Sequence, residues 1–451
     1  MAVAQTLSMR ARAVTRARVT PAALILAAAI PIVFLHIKYQ PGVRVPLGST
    51  HLGLELSDAA VVAVGVAALA EGLRRGFGAL RPALPVWIAA AALLAWIFVR
   101  TDSLKHAVTA VKFAEYSLLA ISCPLLLRRR TDWEVVAAVT AGWSVVATFV
   151  GVLQFFGVGI ADAWPAGRRQ PSFLGHSDFA ALSALALGIG LAAIIIGRRQ
   201  SGWLPVVTGA LGLILAGASA GVGGMVVGVA ALLYAAARRG ALRRSDVAAA
   251  AAIVAVVAAG VFTLRAGDYD QFLRFLHVER QEQSTNANVQ TYAHHTLLAY
   301  VGYRIWRNHP LVGVGWQGST VAENVDPVLP AAHRQFPDEA PIAFPTRAHE
   351  YGVQSAYVQA AADLGIVGLL LWLLPFAAGL TLALRADAQP GALAAFVLLV
   401  AMGLWAAQGL VAGLPLDAVT WLGLGLAATA AAAGRAAAAQ PRPPRRATVP
   451  R

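Results

Sequence analysis

The chain has 451 residues, of which 58% are hydrophobic and only 13% are charged, and its formal net charge is +14. Soluble domains carry about 25% charged residues, so this composition excludes an ordinary soluble protein and predicts a polytopic membrane protein. The positive charge does not indicate nucleic-acid binding, because the arginines cluster between apolar segments and not along one face. We therefore predict an all-α transmembrane bundle that has no nucleic-acid partner.

Apolar segments long enough to cross a bilayer, which takes about 20 residues, recur along the chain. We count about twelve, near 20–38, 57–73, 83–99, 104–126, 134–156, 178–197, 203–219, 221–237, 246–264, 355–384, 390–412 and 415–434. Arginines precede the first segment, as in a signal peptide, but we find no convincing small-residue cleavage site after it. A retained first helix is therefore favoured.

The arginines also orient the segments, because cytoplasmic loops carry an excess of Lys and Arg. With the N-terminus inside, most short arginine-rich connections fall in the cytoplasm and the one large polar loop faces outward. We expect spans 1–9 in 1–265, an extracytoplasmic helical loop in 266–353, spans 10–12 in 354–434 and a disordered basic cytoplasmic tail in 435–451. The predicted location is the cytoplasmic (inner) membrane, with several passes, contacts to membrane lipids and both termini cytoplasmic.

The large loop contains a helical pattern from Thr291 to Arg307, which places Tyr300, Arg304 and Arg307 on one face by i, i+4, i+7 spacing. Two guanidinium groups one turn apart can hold a pyrophosphate with bidentate hydrogen bonds. Long arginine side chains also reach toward lipid headgroups without any catalytic role. The spacing alone does not separate these two interpretations.

A second outer connection contains Arg168 and Arg169 and leads into His176 and Asp178. Arginines on the outer side oppose the usual charge bias, which favours a functional role. His176 and Asp178 could position a substrate there. Ser177 or Asp178 also suits the N-cap of the next helix, and for Asp178 the cap is the favoured interpretation.

Just before the tenth span lie His349 and Gln354. Histidine is suited to accept a proton from an attacking hydroxyl near neutral pH, although a lone loop histidine is more often simply solvated. The adjacent pair His294 and His295 would point apart on a helix. With no metal-binding motif in the chain, we expect no metal and no cofactor.

Charged residues within the predicted spans could indicate a transporter. Most lie near span ends, and Lys112 and Glu115 are spaced to pair with each other. The charged positions are Asp58, Glu71, Lys112, Glu115 and Asp417. They support an ion or proton relay only weakly.

Three stretches resemble the O-antigen ligase and polymerase family of bacterial envelope glycan enzymes. They are 168–180, 304–315 with its run His309-Pro310-Leu311-Val312-Gly313-Val314-Gly315, and 355–368 with Asp363-Leu364-Gly365. The resemblance implies a GT-C-like, metal-independent glycosyltransferase that takes a glycan from an undecaprenyl-diphosphate donor. The glycan would pass to a hydroxyl of an acceptor glycan or glycolipid on the outer leaflet.

The resemblance also implies roles for single residues. Arg168, Arg169, Arg304 and Arg307 would bind the diphosphate. The family usually has a histidine at the place of Gln354, so His349 could stand in as the base and Gln354 could orient the hydroxyl. The family also often has Ser-Arg-Gly where this chain has Ser219-Ala220-Gly221. A transporter of lipid-linked saccharide and a non-catalytic assembly protein remain as alternatives.

Overall fold

The computed structural model describes residues 19–48, 50–197, 199–276, 291–347, 350–386, 389–410 and 415–438. These residues are mostly helical, and the sheet among them is a single antiparallel hairpin, β1 (Gly42–Leu47) with β2 (Thr50–Glu55). The all-α class is confirmed.

The helices before the large loop are α1 (Pro21–Val33), α2 (Leu56–Arg75), α3 (Leu84–Val99), α4 (Leu104–Glu115), α5 (Ser117–Leu126), α6 (Arg130–Phe155), α7 (His176–Leu191), α8 (Trp203–Ala216), α9 (Ser219–Arg238) and α10 (Arg244–Leu264). The loop contains α11 (Ala266–Phe275), α12 (Thr291–Asn308), α13 (Ala322–Val325) and α14 (Leu329–Gln335). The chain then forms α15 (Ala356–Arg385), α16 (Gln389–Trp405) and α17 (Pro415–Ala438). Helix α17 therefore extends into the start of the predicted tail, and residues 439–451 lie outside the described residues.

Among the residues that the structure describes, eight helical segments are long and apolar enough to cross a membrane. They are α2, α3 with the 3-10 turn before it, α4 with α5, α6, α7 with the π-helical turn Ala192–Ile196, α9, α10 and α15. Helices α1 and α16 and the segment Gln200–Ala216 are shorter apolar helices. The chain is a multi-pass membrane protein on these grounds, and the count of about twelve spans stays a prediction.

Hydrogen bonds from arginine side chains to backbone carbonyls join the arginine-rich connections at one end of the bundle, which we call the arginine end. There Arg128 donates from Nη2 to the Gly76 carbonyl at 3.2 Å, and Arg238 donates from Nη1 to the Leu384 carbonyl at 2.7 Å. We call the opposite end, which holds the hairpin, residues 156–175 and the large loop, the loop end. Which end faces the cytoplasm stays a prediction.

Helix α7 lies at the centre of the bundle, where every residue from 178 to 192 is buried. Small residues let its neighbours approach closely, as is common between membrane helices. A Cβ on Gly209 of α8 would lie 2.5 Å from the Ser183 carbonyl oxygen of α7. Tight packing therefore fixes the position of α7 and of His176 at its start.

One predicted pairing inside the bundle is wrong. Lys112 of α4 bonds to Asp58 of α2 and not to Glu115, its neighbour one turn away. Asp58 also accepts from the Glu55 backbone N–H at 2.7 Å at the start of α2. The lysine therefore joins two helices at the loop end.

The large loop has its own hydrophobic core. Its buried members are Leu297, Leu298, Val301, Ile305, Val325, Val328, Ala332, Ala343 and Phe344, together with Ala362 of α15. The predicted helix from Thr291 is confirmed as α12, and Pro310 follows shortly after its end. Because Ala362 belongs to a membrane helix, the folded loop is anchored directly on the bundle.

Candidate active site

Two of the three sequence motifs lie against each other at the loop end. Helix α15 is interrupted at Gly365, whose backbone has φ +69° and ψ −172°. Next to this break, the Val314 N–H donates to the Ala362 carbonyl at 3.0 Å and the Gly315 N–H donates to the Asp363 carbonyl at 2.8 Å. The loop motif thus bonds to carbonyl groups of the turn that precedes the break.

Two glycines make this contact possible. A Cβ on Gly365 would lie 2.1 Å from the Leu311 carbonyl oxygen, and a Cβ on Gly313 would lie 2.4 Å from the Asp363 carbonyl oxygen. Both glycines also have positive φ, which other residues rarely adopt. We call this contact between 310–315 and 362–367 the motif clamp.

The carboxylate of Asp363 holds the chain that follows the clamp. It is fully buried and accepts from the backbone N–H groups of Gln317 at 3.1 Å and Ser319 at 2.8 Å, and from Gln359 Nε2 at 3.1 Å. A buried carboxylate with three donors is a structural anchor. Asp363 therefore positions the loop and does not face a substrate.

A group of cationic and aromatic side chains lies at the same end, around the turn between α8 and α9. Arg265, the C-cap of α10, is only 5% exposed. It donates from Nη1 to the Gly217 carbonyl at 3.1 Å and from Nε to Asp268 at 2.8 Å, and its guanidinium lies 4.3 Å from the Tyr292 ring centre. Its Nη2 is buried without a hydrogen-bond partner among the described residues.

Arg169 lies beside Arg265. The Cδ atoms of the two side chains are 3.2 and 3.3 Å from the place that a Cβ on Gly217 would occupy, so the side chains are neighbours. The Arg169 guanidinium stacks on the Trp164 ring at 4.5 Å. Burial, and next the Arg265 charge, lower the pKa of Arg169 to about 10. The half-buried Arg169 and the buried Arg265 repel each other here, and an anion would relieve that repulsion.

Two histidines complete the group. His176 packs edge-on against Trp164 at 4.4 Å, and both of its ring nitrogens are buried. Burial lowers the pKa of His295 to about 4, with further lowering by His294, Arg265 and Arg169. We call Arg169, Arg265, His176, Tyr292 and His295 the arginine cluster.

The chemistry of the arginine cluster suits a phosphate or diphosphate. Guanidinium groups bind phosphate oxygens with paired, charge-assisted hydrogen bonds, and these strengthen where water is excluded. The Asp268 carboxylate is bonded to Arg265 and offsets one of the two positive charges. The positive charge of Arg169 remains for a bound anion. Within the described residues, no group of three His, Cys, Asp or Glu side chains could hold a metal ion.

The structure brings together some of the predicted site residues. Arg169 and His176 belong to the arginine cluster, whereas Arg168 is exposed. Tyr300 packs edge-on against Phe336 at 5.4 Å, at the edge of the loop core. The predicted cap at Ser177 or Asp178 is wrong, because the N-cap of α7 is Gly175 and Asp178 lies in the first turn.

Arg304 and Arg307 lie farther along α12. Arg304 is half-buried, its Nε has no hydrogen-bond partner among the described residues, and Arg307 is exposed. At about 1.5 Å per residue, Arg304 is about 18 Å from Tyr292 along the helix axis. Their predicted role in binding diphosphate stays a prediction, and so does the role of Gln354, which is half-buried just before α15. His349 lies outside the described residues.

The sequence analysis missed Arg265, Tyr292 and His295 as site residues. Arg265 carries a signal that could have found it, because it directly follows an apolar span on the predicted outer side. It opposes the charge bias just as Arg168 and Arg169 do. Tyr292 and His295 carry no comparable signal, since their role depends on where α12 packs.

A polar cleft of about 580 Å³ opens between the start of α4 and the large loop. Its lining residues are Asp102, Ser103, Lys105, His106, Val321, Ala322, Glu323, Arg347 and Glu350. His106 Nδ1 lies 2.9 Å from Asp102 Oδ1, which leaves Nε2 as the ring nitrogen available to a ligand. Lys105 bonds Glu350 at 2.9 Å across the cleft.

A short segment links the cleft to the arginine cluster. Glu350 lines the cleft, and the next residue, Tyr351, packs edge-on against His294 at 4.7 Å. His294 adjoins His295 of the cluster. The segment from Glu350 to Tyr351 thus connects the polar cleft with the arginine cluster.

Residues 204–373 match the model of a protein family described as O-antigen ligase. The match includes Arg265, Tyr292, His295 and the motif clamp, and it begins after Arg169 and His176. No curated protein matches the chain. Together with the membrane helices, the match supports a ligase- or polymerase-type enzyme of polysaccharide biosynthesis. Residues 204–373 are therefore similar to the O-antigen ligase family.

Proposed function

We propose that the protein transfers or polymerises glycan from an undecaprenyl-diphosphate-linked donor onto an acceptor hydroxyl at the outer face of the cytoplasmic membrane. The observation that carries this proposal is the pair Arg169, which is half-buried, and Arg265, which is buried; they lie beside each other, and Arg265 Nη2 has no hydrogen-bond partner among the described residues. They lie at the loop end of a membrane bundle, where a lipid carrier presents its diphosphate.

The reaction that we propose breaks the bond between the sugar anomeric carbon and the diphosphate oxygen. The bonding electrons leave with the diphosphate, and the acceptor oxygen forms the new bond to the anomeric carbon while it loses its proton. Positive charge held near the leaving oxygens stabilises the charge that develops there. Arg169 and Arg265 supply that charge in this proposal, and His176, Tyr292 and Trp164 wall the site.

The polar cleft is our proposed acceptor site. Glycan hydroxyls both donate and accept hydrogen bonds, and the cleft offers carboxylates, cations and the His106–Asp102 pair. Gln354 can orient a hydroxyl but cannot accept its proton. We therefore propose His349 and His106 as the residues to test for proton acceptance.

A transporter of lipid-linked saccharide is less well supported. Such a protein needs polar groups that continue from the loop end toward the arginine end. Beneath His176, helix α7 is buried from Phe179 to Leu191, and Ser183 is the only polar side chain in that stretch. A non-catalytic assembly protein would use the same binding site without turnover, so only an assay separates it.

The direct test uses the full chain in liposomes with a synthetic undecaprenyl-diphosphate oligosaccharide and a glycan acceptor. We expect release of undecaprenyl diphosphate with formation of a longer glycan, both measured by mass spectrometry. Arg169→Gln and Arg265→Gln should each lower the rate by about 100-fold, the effect of removing one group that stabilises developing charge.

Arg44→Gln is the matched control, because Arg44 is an exposed arginine on the hairpin at the same end. Full activity in both cluster variants would refute the proposed site. Movement of donor across the liposome without glycan transfer would establish the transporter. Donor binding without either outcome would establish the assembly protein.

A further inference from the structure

A groove at the arginine end lies outside the proposed catalytic region. It has a volume of about 440 Å³ and is formed by the 3-10 turn Gly78–Ala83, the end of α5 and the last turns of α17. Cavities that hold small molecules span about 300–1,000 Å³. The groove is therefore large enough for a ligand.

The walls and the rim of the groove differ in chemistry. Its walls are mainly apolar and include Ala79, Pro82, Pro124, Leu127, Ala432 and Ala433. Arg81, Arg128 and Arg435 also line it, and all three are exposed. The lining contains no Asp or Glu, so these cations have no carboxylate partner within it.

Two of the three arginines are available to an outside anion. Arg128 donates from Nε to the Leu125 carbonyl at 3.0 Å and from Nη2 to the Gly76 carbonyl at 3.2 Å, so it also holds the helix ends together. Arg81 and Arg435 form no ion pair among the described residues. Glu71, on the neighbouring helix α2, is already bonded to Arg74 and Arg75.

We propose that this groove binds an anionic phospholipid of the surrounding bilayer, with the phosphate at Arg81 and Arg435 and an acyl chain along the apolar walls. Basic pockets between membrane helices recognise anionic headgroups in this way. The apolar walls favour a lipid over free inorganic phosphate, which gains nothing from them. This inference does not depend on the proposed glycan transfer.

The test is native mass spectrometry of the full chain, titrated with phosphatidylglycerol or with phosphatidylcholine of the same acyl chains. We expect preferential binding of phosphatidylglycerol, and about tenfold weaker binding in the double variant Arg81→Gln/Arg435→Gln. The matched control is Arg244→Gln/Arg385→Gln, which removes two exposed arginines at the same end outside the groove. The control should keep the affinity of the unmodified chain.

A second variant separates loss of binding from loss of fold. Ala433→Trp keeps every charge and places a large ring in the groove, so it should weaken phosphatidylglycerol binding as well. Equal loss in both arginine double variants would overturn the proposal, because the effect would then be general surface charge. Displacement of the lipid by equimolar inorganic phosphate, or equal binding of the two lipids, would also overturn it.

Discussion

Arg265 donates a hydrogen bond from Nη1 to the carbonyl oxygen of Gly217 at 3.1 Å, and this bond joins the end of α10 to the turn between α8 and α9. Ser219-Ala220-Gly221 begins two residues later. The O-antigen ligase and polymerase family, which the chain resembles, often has an arginine between this serine and glycine. In this chain a guanidinium reaches the same turn from another helix. The bond explains how the chain can lack the local arginine and still hold a cation there.

Replacing Arg265 by lysine tests whether charge alone is sufficient. Lysine keeps the charge but cannot make the separate bonds of a guanidinium to Gly217 and Asp268. We expect Arg265→Lys to lose most of the glycan transfer that Arg265→Gln loses, measured as undecaprenyl diphosphate released per minute. Near-full activity would mean that the bond to Gly217 does not matter.

Comparing Arg169→Gln with Arg304→Gln tells us which arginine holds the diphosphate. Because Arg169 is in the arginine cluster and Arg304 is about 18 Å away along α12, we expect the larger loss of donor affinity at Arg169. Arg307→Gln should have a smaller effect than either, since Arg307 is exposed. Donor affinity is measured by competition with a labelled undecaprenyl-diphosphate lipid. The reverse order would move the site to α12.

Gly365→Ala tests the motif clamp. The added methyl group would meet the Leu311 carbonyl oxygen at 2.1 Å, and alanine would have to adopt φ +69°. We expect a loss of about 2 kcal/mol or more in the free energy of unfolding in detergent. Gly223→Ala in α9 is the control, because nothing lies within 4 Å of the added Cβ there. Equal stability of the two variants would show that the clamp does not restrain the fold.

His295 should make the protein less stable in acid. Its pKa is 6.5 when unperturbed and about 4 in the folded protein, mainly because of burial. The unfolded chain therefore takes up the proton first, so stability is full above pH 6.5 and falls as the pH drops toward 4. His295→Gln should lose part of this dependence, seen as a flatter curve of melting temperature against pH.

His51→Gln is the control for that experiment, since His51 is an exposed histidine on the hairpin. It should keep the pH dependence of the unmodified chain. An unchanged curve in His295→Gln would show that this histidine is not held neutral by its surroundings.

The polar cleft gives a prediction for the acceptor. His106→Asn should raise the KM for the acceptor glycan and leave donor affinity unchanged, because His106 lines the cleft and not the arginine cluster. If His106 also accepts the proton, kcat falls by a further factor of about 10²–10⁴. Arg334→Gln, an exposed position on α14, serves as the control. A change in donor affinity alone would contradict an acceptor site here.

The all-α class and the helix from Thr291 could be predicted because each depends on local pattern. The break in α15 could not be predicted. The pattern of residues 355–384 predicts one uninterrupted apolar span, and the unusual backbone at Gly365 is stabilised by residues about 50 positions earlier in the chain. Tertiary bonds override the local helical preference there.

The site shows the same division. The sequence indicated Arg169 and His176, because polar residues stand out beside an apolar span. The sequence analysis also grouped Arg304 and Arg307 with these residues. A sequence pattern does not show that both arginines lie far along α12 from the arginine cluster. Arg265 joins the cluster only once α10 has packed beside the turn at Gly217.

The motif clamp is made of main-chain hydrogen bonds, and it demands little of the side chains except the absence of a Cβ at Gly313 and Gly365. The clamp therefore places few constraints on the exposed side chains of 310–347, and substitutions there need not displace the loop from α15. Those side chains can change while the main-chain contact that positions the loop on α15 is kept.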